Sequence, residues 1–254
     1  MKTKLSLMLD RPETPTIIGA VCYAFLTFVS VPFILLLLMT GSFENPEVLA
    51  GCQLFYYFCN FVVVIFTFRS YLAESFLNVH LNKQTLISTL AISVGLILGW
   101  VVLLTGIYFL TEDFFVGSLA YGAMPVSEMD ILLLGSSVVY EHPLLSLLFY
   151  VLLVPFSVSC LYYAIGFAPV CCEKPWLAYL VITVVIAIPR FVNGATFWDP
   201  KEEMILYIAQ LPIHLIACRA YQKCDTVWAP IFCLMIANLL TSLYYIVTFL
   251  LFPV

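Results

Sequence analysis

Residues 84–111 read QTLISTLAISVGLILGWVVLLTGIYFLT, an apolar run without a single charged side chain. A transmembrane helix needs about 20 apolar residues at about 1.5 Å each, and this run exceeds that length. The pattern recurs along the chain. Of 254 residues, 63% are hydrophobic and 10% charged, and the mean hydropathy is +1.08. Soluble domains carry roughly 25% charged residues, so no water-soluble core could hide this surface. Ten Lys and Arg and fifteen Asp and Glu fall in short clusters between the apolar runs, as a bilayer imposes.

Cutting the chain at those clusters predicts an all-α, polytopic transmembrane bundle. Its seven spans fall near 16–40, 48–68, 84–111, 143–171, 175–197, 203–219 and 227–252. The outer connection from Glu112 to His142 has two apolar patches, Phe114 to Val126 and Ile131 to Tyr140, which leave a re-entrant pair or an eighth helix open. The stretch Ser70 to Lys83, with Tyr71, Phe76, Leu77 and Val79 among Glu74, Asn78 and Asn82, is expected to lie along the inner surface as an interfacial helix. Residues 1–142 form the N-terminal spans and outer connection and 143–254 the C-terminal core, within one membrane domain. The first apolar stretch is too long for a cleaved leader and is retained as a span.

Basic residues in short loops set orientation. Lys2, Lys4, Arg11, Arg69, Lys83, Lys174, Arg219 and Lys223 fall on one set of alternate connections, and only Arg190 and Lys201 on the other. The N-terminus is therefore expected in the cytoplasm, and the location is a cell membrane. No basic stretch suits nucleic acid. The nine cysteines include no C-x-x-C pair and mostly sit in apolar runs, where they act as small hydrophobes. Cys171 and Cys172, at an expected inner helix end, suit packing first and palmitoylation second. No cofactor or metal site is expected.

Ionisable groups within spans are the first places to look for function. Two qualify, Arg190 and His214. Arg190 is near a span end, where it can snorkel or pair with Asp199 or Glu202. His214 shares a helix face with Tyr207 and Gln210, and is expected either to hydrogen-bond a neighbouring helix or to line a polar cavity with Gln53, Asn60 and Asn238. Zinc hydrolysis lacks an H-E-x-x-H, and an aspartyl dyad has no intramembrane aspartate. A serine mechanism has only Gly135-Ser136-Ser137-Val138, without a histidine base. In the 84–111 run, Gly95 and Gly99 form G-x-x-x-G, and Ser88 and Gly106 extend the small-residue face. That face suits close helix contact, inside the bundle or in a homodimer.

The string Val227-Trp228-Ala229-Pro230-Ile231, leading to Asn238, resembles the last core helix of the CPBP (Abi) family of CAAX-prenyl-protease-like and bacteriocin-processing intramembrane proteins. There W-A-P-I precedes a histidine and then an asparagine; here those positions are Leu234 and Asn238. The family's proline-led helix with a glutamate pair and an arginine is similar in frame to residues 155–166, with Ser159 and Cys160 at the glutamates and Ala164 at the arginine. Its F-x-x-x-H falls near Phe191-Val192-Asn193-Gly194-Ala195, with Ala195 at the histidine. The resemblance covers about residues 143–250. It implies a helical protease-like core in a bacterial cytoplasmic membrane, with glutamate activating water and histidine with asparagine holding the oxyanion. At those places this chain has serine, cysteine, alanine and leucine, so the expectation is a pseudoprotease. By resemblance, it binds another membrane protein, such as a sensor kinase or a membrane-anchored cell-wall enzyme, through that partner's transmembrane helix. Ser159, Cys160, Ala164, Ala195, Leu234 and Asn238 are then expected near the lining of the docking cavity. A diverged protease using Cys160 or His214, a bacteriocin self-immunity protein, and a small transporter or channel component are the alternatives.

Overall fold

The structure, a computed structural model, describes residues 46–81, 83–111, 148–171, 174–196 and 200–251, and every described element is helical. In chain order these are α1 (Pro46–Leu81), α2 (Lys83–Thr111), α3 (residues 148–171), α4 (Pro175–Thr196), α5 (Pro200–Cys224) and α6 (Trp228–Leu251). Three of them, α1, α4 and α5, open on proline, which has no N–H to leave unsatisfied and a backbone angle already set for helix. The expected span 16–40, the outer connection and the boundary at 142/143 lie outside the described residues.

Two helices are long and apolar enough to cross a membrane. Their stretches Phe61–His80 and Lys83–Leu104 have mean hydropathies of 1.3 and 2.4. Only 22% of each is buried inside the protein, so most of their apolar surface faces outward. Phe66 is 72% exposed and Val102 69%, while Thr89, Ser93, Gln210, His214 and Asn238 are buried. An apolar exterior around a partly polar interior suits a bilayer. Shorter apolar helices, Val151–Phe167, Pro175–Ile188 and Trp228–Leu240, complete the bundle.

Helix α1 corrects one expectation. Residues 70–81 do not form a separate interfacial helix; they continue α1 without a break. No glycine or proline interrupts 61–81, and the polar side chains of this stretch are spent on the turn between α5 and α6. Thr226 Oγ1 donates to the Ser75 carbonyl at 2.9 Å. Its single proton is thereby used, so in the 2.8 Å contact between the two hydroxyls Ser75 is the donor. Ser75 Oγ in turn accepts the Val227 N–H at 3.0 Å, and Thr226 Oγ1 accepts the Trp228 N–H at 3.3 Å. Two of the donors that the start of α6 leaves unpaired are thus capped, one of them from another helix. Asn78 Nδ2 donates to the Asp225 carbonyl at 3.2 Å, and Trp228 Nε1 to the Leu72 carbonyl at 3.0 Å. Asp225 reverses the chain with φ 52°, the one positive φ at a non-glycine among the described residues.

Helix α3 is wound unusually. Two π-helical stretches, Leu148–Leu153 and Cys160–Phe167, flank an α-helical Val154–Ser159. Each precedes or overlaps the turn beneath a proline, Pro155 or Pro169. A proline ring cannot donate to the carbonyl four residues back and collides with it, and a widened turn relieves the collision. Pro212, inside α5, likewise has no N–H to give, so the Ile208 carbonyl lacks its helical donor. The neighbouring Ala209 carbonyl accepts the Trp100 indole N–H at 2.9 Å.

One core holds these helices together. Val64, Phe68 and Leu72 of α1, Ile97 of α2, Tyr163 and Phe167 of α3, Ile182 of α4, Ile213 of α5 and Ile231 of α6 belong to a single buried cluster. Close contact between these side chains stabilises the bundle through dispersion.

Candidate functional site

One buried tyrosine–histidine pair joins α3 to α5. His214 lies on α5 at 3% exposure and Tyr163 on α3 at 0%. The Tyr163 hydroxyl stands 2.7 Å from His214 Nδ1. Tyr162 packs its edge on the same imidazole, with ring centroids 5.7 Å apart. A buried tyrosine needs a partner for its hydroxyl, and the imidazole supplies it; which of the two donates depends on the imidazole tautomer. Among the described residues the buried polar set has no Asp, Glu, Lys or Arg. The widened turns of α3 contribute to it: the Ala168 N–H bonds the Tyr163 carbonyl five residues back, and Tyr162, Tyr163 and Phe167 all end up buried.

His214 thus reaches a neighbouring helix, as one of its two expected roles required. Its neighbours on the same face part ways. Gln210 is buried at 4%, whereas the Tyr207 hydroxyl donates to the Thr183 carbonyl of α4 at 3.1 Å. The cavity expected to join His214 to Gln53, Asn60 and Asn238 falls partly beyond view. Gln53 and Asn60 are helical in α1, and Arg190 and Ala195 in α4, but the side chains of all four lie outside the described residues. Asn238 is 1% exposed on α6.

The described positions among those singled out by the family resemblance are buried. Ser159 and Cys160 are 0% exposed, Ala164 6% and Leu234 1%. Cys160, Ala164 and Leu234 belong to the same buried cluster as Tyr163. The hydroxyls of Ser157 and Ser159 are buried with no hydrogen-bond partner among the described residues. It is Tyr163 that meets the Nδ1 nitrogen of the His214 imidazole. Among the described residues these side chains pack inside the bundle and not on its surface. The physical reason is that Tyr163, Phe167, Ile213 and Leu234 fill the centre. No cluster of three or more His, Cys, Asp or Glu suited to a metal occurs among the described residues.

Helix α2 turns away from its glycines. Leu86, Thr89, Ser93, Ile97 and Leu104 are its buried face, and Ser93 bonds back to the Thr89 carbonyl at 2.8 Å. The Ser88, Gly95, Gly99 and Gly106 stripe lies opposite, with Ser88, Gly95 and Gly99 exposed. A Cβ built on any of the three glycines meets nothing within 4 Å. Among the described residues the stripe is therefore an outward surface. The cysteines behave as apolar residues: Cys160, Cys218 and Cys233 are 0% exposed and Cys171 5%, while Cys172 lies outside the described residues.

The pairing of Tyr163 with His214 was not legible beforehand. The available signal was a buried tyrosine in an apolar run, whose hydroxyl had to be answered by something. No family model, curated protein or solved structure matches this chain.

Proposed function

We propose that the chain is a multi-pass membrane protein with seven spans and a cytoplasmic N-terminus. In this reading it carries a CPBP-like core that has given up hydrolysis, and it acts as a partner or regulator of another membrane protein. The observation that carries this reading is the closed centre. Where the family frame expects glutamates, an arginine and a histidine, this chain packs Ser159, Cys160, Ala164 and Leu234 at 0–6% exposure. A hydrolytic site needs water beside its base, and these side chains occupy that space.

The orientation draws support from tertiary contacts. Asn78 meets Asp225, and the Tyr179 hydroxyl donates to Gln222 at 3.0 Å. The α1–α2 junction, the start of α4 and the α5–α6 turn therefore gather at one end of the bundle. Those are the connections that hold Lys83, Lys174 and Lys223, on the side that charge counting assigns to the cytoplasm.

With the centre filled, a partner's transmembrane helix has to sit on an outward face. The Ser88, Gly95, Gly99 and Gly106 stripe is where two backbones can approach most closely. The test is purification of the full chain from its native membrane in mild detergent, with and without Gly95→Leu and Gly99→Leu. Because an added side chain meets nothing within the chain's own described residues, these changes should leave the fold intact and release a stoichiometric partner. A stable monomer with no partner, or a partner retained equally by both variants, overturns the proposal. A cellular phenotype lost in His214→Ala or Cys160→Ala at unchanged expression would instead restore the diverged-enzyme reading.

A further inference from the structure

The outward face of α4 and the end of α5 beside it carry a second feature. Trp176, Leu180, Val184 and Ile188 recur at every fourth residue and are 68%, 52%, 51% and 48% exposed. They form one apolar stripe that climbs α4 from its first turn. Across 176–188 the stripe is about 18 Å long at about 1.5 Å per residue, close to one leaflet of a hydrocarbon core about 30 Å thick. Trp176 stands at its foot, the level at which tryptophan prefers to sit in a membrane.

Three cations lie on the helix ends at that foot. Lys174 immediately precedes α4, and Arg219 and Lys223 lie one turn apart near the end of α5; all three are exposed. The two helix ends are held side by side by the hydrogen bond from the Tyr179 hydroxyl to Gln222 Oε1. An apolar track one leaflet long, headed by clustered positive charge at the interface, matches one kind of molecule in both halves.

We propose that this surface is a binding site for an anionic phospholipid, with the headgroup phosphate engaged by Lys174, Arg219 and Lys223 and an acyl chain lying along the 176–188 stripe. The charge sets the selectivity. A zwitterionic headgroup brings its own cation toward the basic cluster, whereas an anionic headgroup brings none. The inference rests on the reading of α4 as a membrane span.

The experiment reconstitutes the full chain in phosphatidylcholine vesicles doped with either brominated phosphatidylglycerol or brominated phosphatidylcholine. Quenching of tryptophan fluorescence is recorded, and the part that disappears in Trp176→Phe is assigned to this site. Quenching should favour the anionic lipid by about fivefold or more, since each cation near an anionic surface contributes roughly that factor. Arg219→Gln should lower the preference, and the triple change Lys174→Gln, Arg219→Gln and Lys223→Gln should abolish it. Arg69→Gln, on α1, should leave it unchanged. Equal quenching by the two lipids overturns the proposal, as does an Arg69→Gln effect as large as that of Arg219→Gln. A chain that fails to float with the vesicles refutes the membrane reading and the lipid site together; one that floats without lipid preference refutes the lipid site alone.

Discussion

Replacing Ser75 by alanine tests the joint between α1 and the α5–α6 turn. The substitution removes the hydroxyl that donates to Thr226 Oγ1 at 2.8 Å and accepts the Val227 N–H at 3.0 Å. Ser75 is 1% exposed, Thr226 2% and Val227 0%, so water cannot easily replace what is lost. A buried donor left without a partner costs about 1–3 kcal/mol, and loss of a helix cap about 1 kcal/mol. Inter-helix hydrogen bonds in membrane proteins average only about 0.6 kcal/mol, but that average includes groups that find other partners on unfolding. A helix-terminal N–H facing a single hydroxyl belongs at the upper end, and a loss of about 2 kcal/mol follows. For a chain of this size that is a fall of roughly 4–8 °C in midpoint. Thermal unfolding in a mild detergent, followed by circular dichroism, gives the value. Thr226→Val and the double variant complete a cycle whose coupling should be about 1 kcal/mol. A Ser75→Ala change below about 0.5 kcal/mol, or a coupling of zero, refutes the argument.

Three further outcomes follow from other contacts. Tyr163→Phe leaves His214 Nδ1 buried without the hydroxyl that meets it at 2.7 Å, and should cost about 1–3 kcal/mol; a second change, His214→Phe, should then cost much less than it does alone, and additivity in denaturation would count against the pair. Ala217→Leu forces a larger side chain into a site that is 0% exposed and should destabilise by about 1–3 kcal/mol, whereas Leu103→Ala, at 52% exposure, should change the unfolding midpoint little; the reverse order would mean that the inward face has been misassigned. Partial burial of Asp225 in the α5–α6 turn pushes its carboxyl above the ordinary carboxylate range. The folded form therefore holds its proton more tightly than the unfolded form, so this stabilisation is complete below the unfolded value and is lost as pH rises through the folded one. Asp225→Asn, which tolerates the positive φ, should flatten stability against pH in that window, and an unchanged slope would remove Asp225 as its source.

The helices themselves were largely readable in one dimension. Expected spans 84–111, 175–197 and 227–252 correspond to Lys83–Thr111, Pro175–Thr196 and Trp228–Leu251, because charged clusters and helix-opening prolines act through local chemistry. The interfacial helix at 70–83 was misread for the same reason: alternating apolar and polar residues describe a surface-lying helix and a helix end docked on a turn equally well. Only the distant Thr226 and Asp225 distinguish the two.

What the amino-acid order alone determined is that the described residues are helical, rich in long apolar runs and divided at their charges, since each of those properties depends on residues close together in sequence. Which faces meet was decided in three dimensions. Tyr163 and His214 lie on different helices, and whether they touch depends on the widened turns of α3 and the rotation of α5. Helix α2 has two faces that could pack, one of small residues and one carrying Leu86, Ser93 and Ile97, and the second lies inward among the described residues. The closure of the centre over Cys160, Ala164 and Leu234 belongs to the same class, because a cavity depends on how several helices sit together and no single segment encodes it.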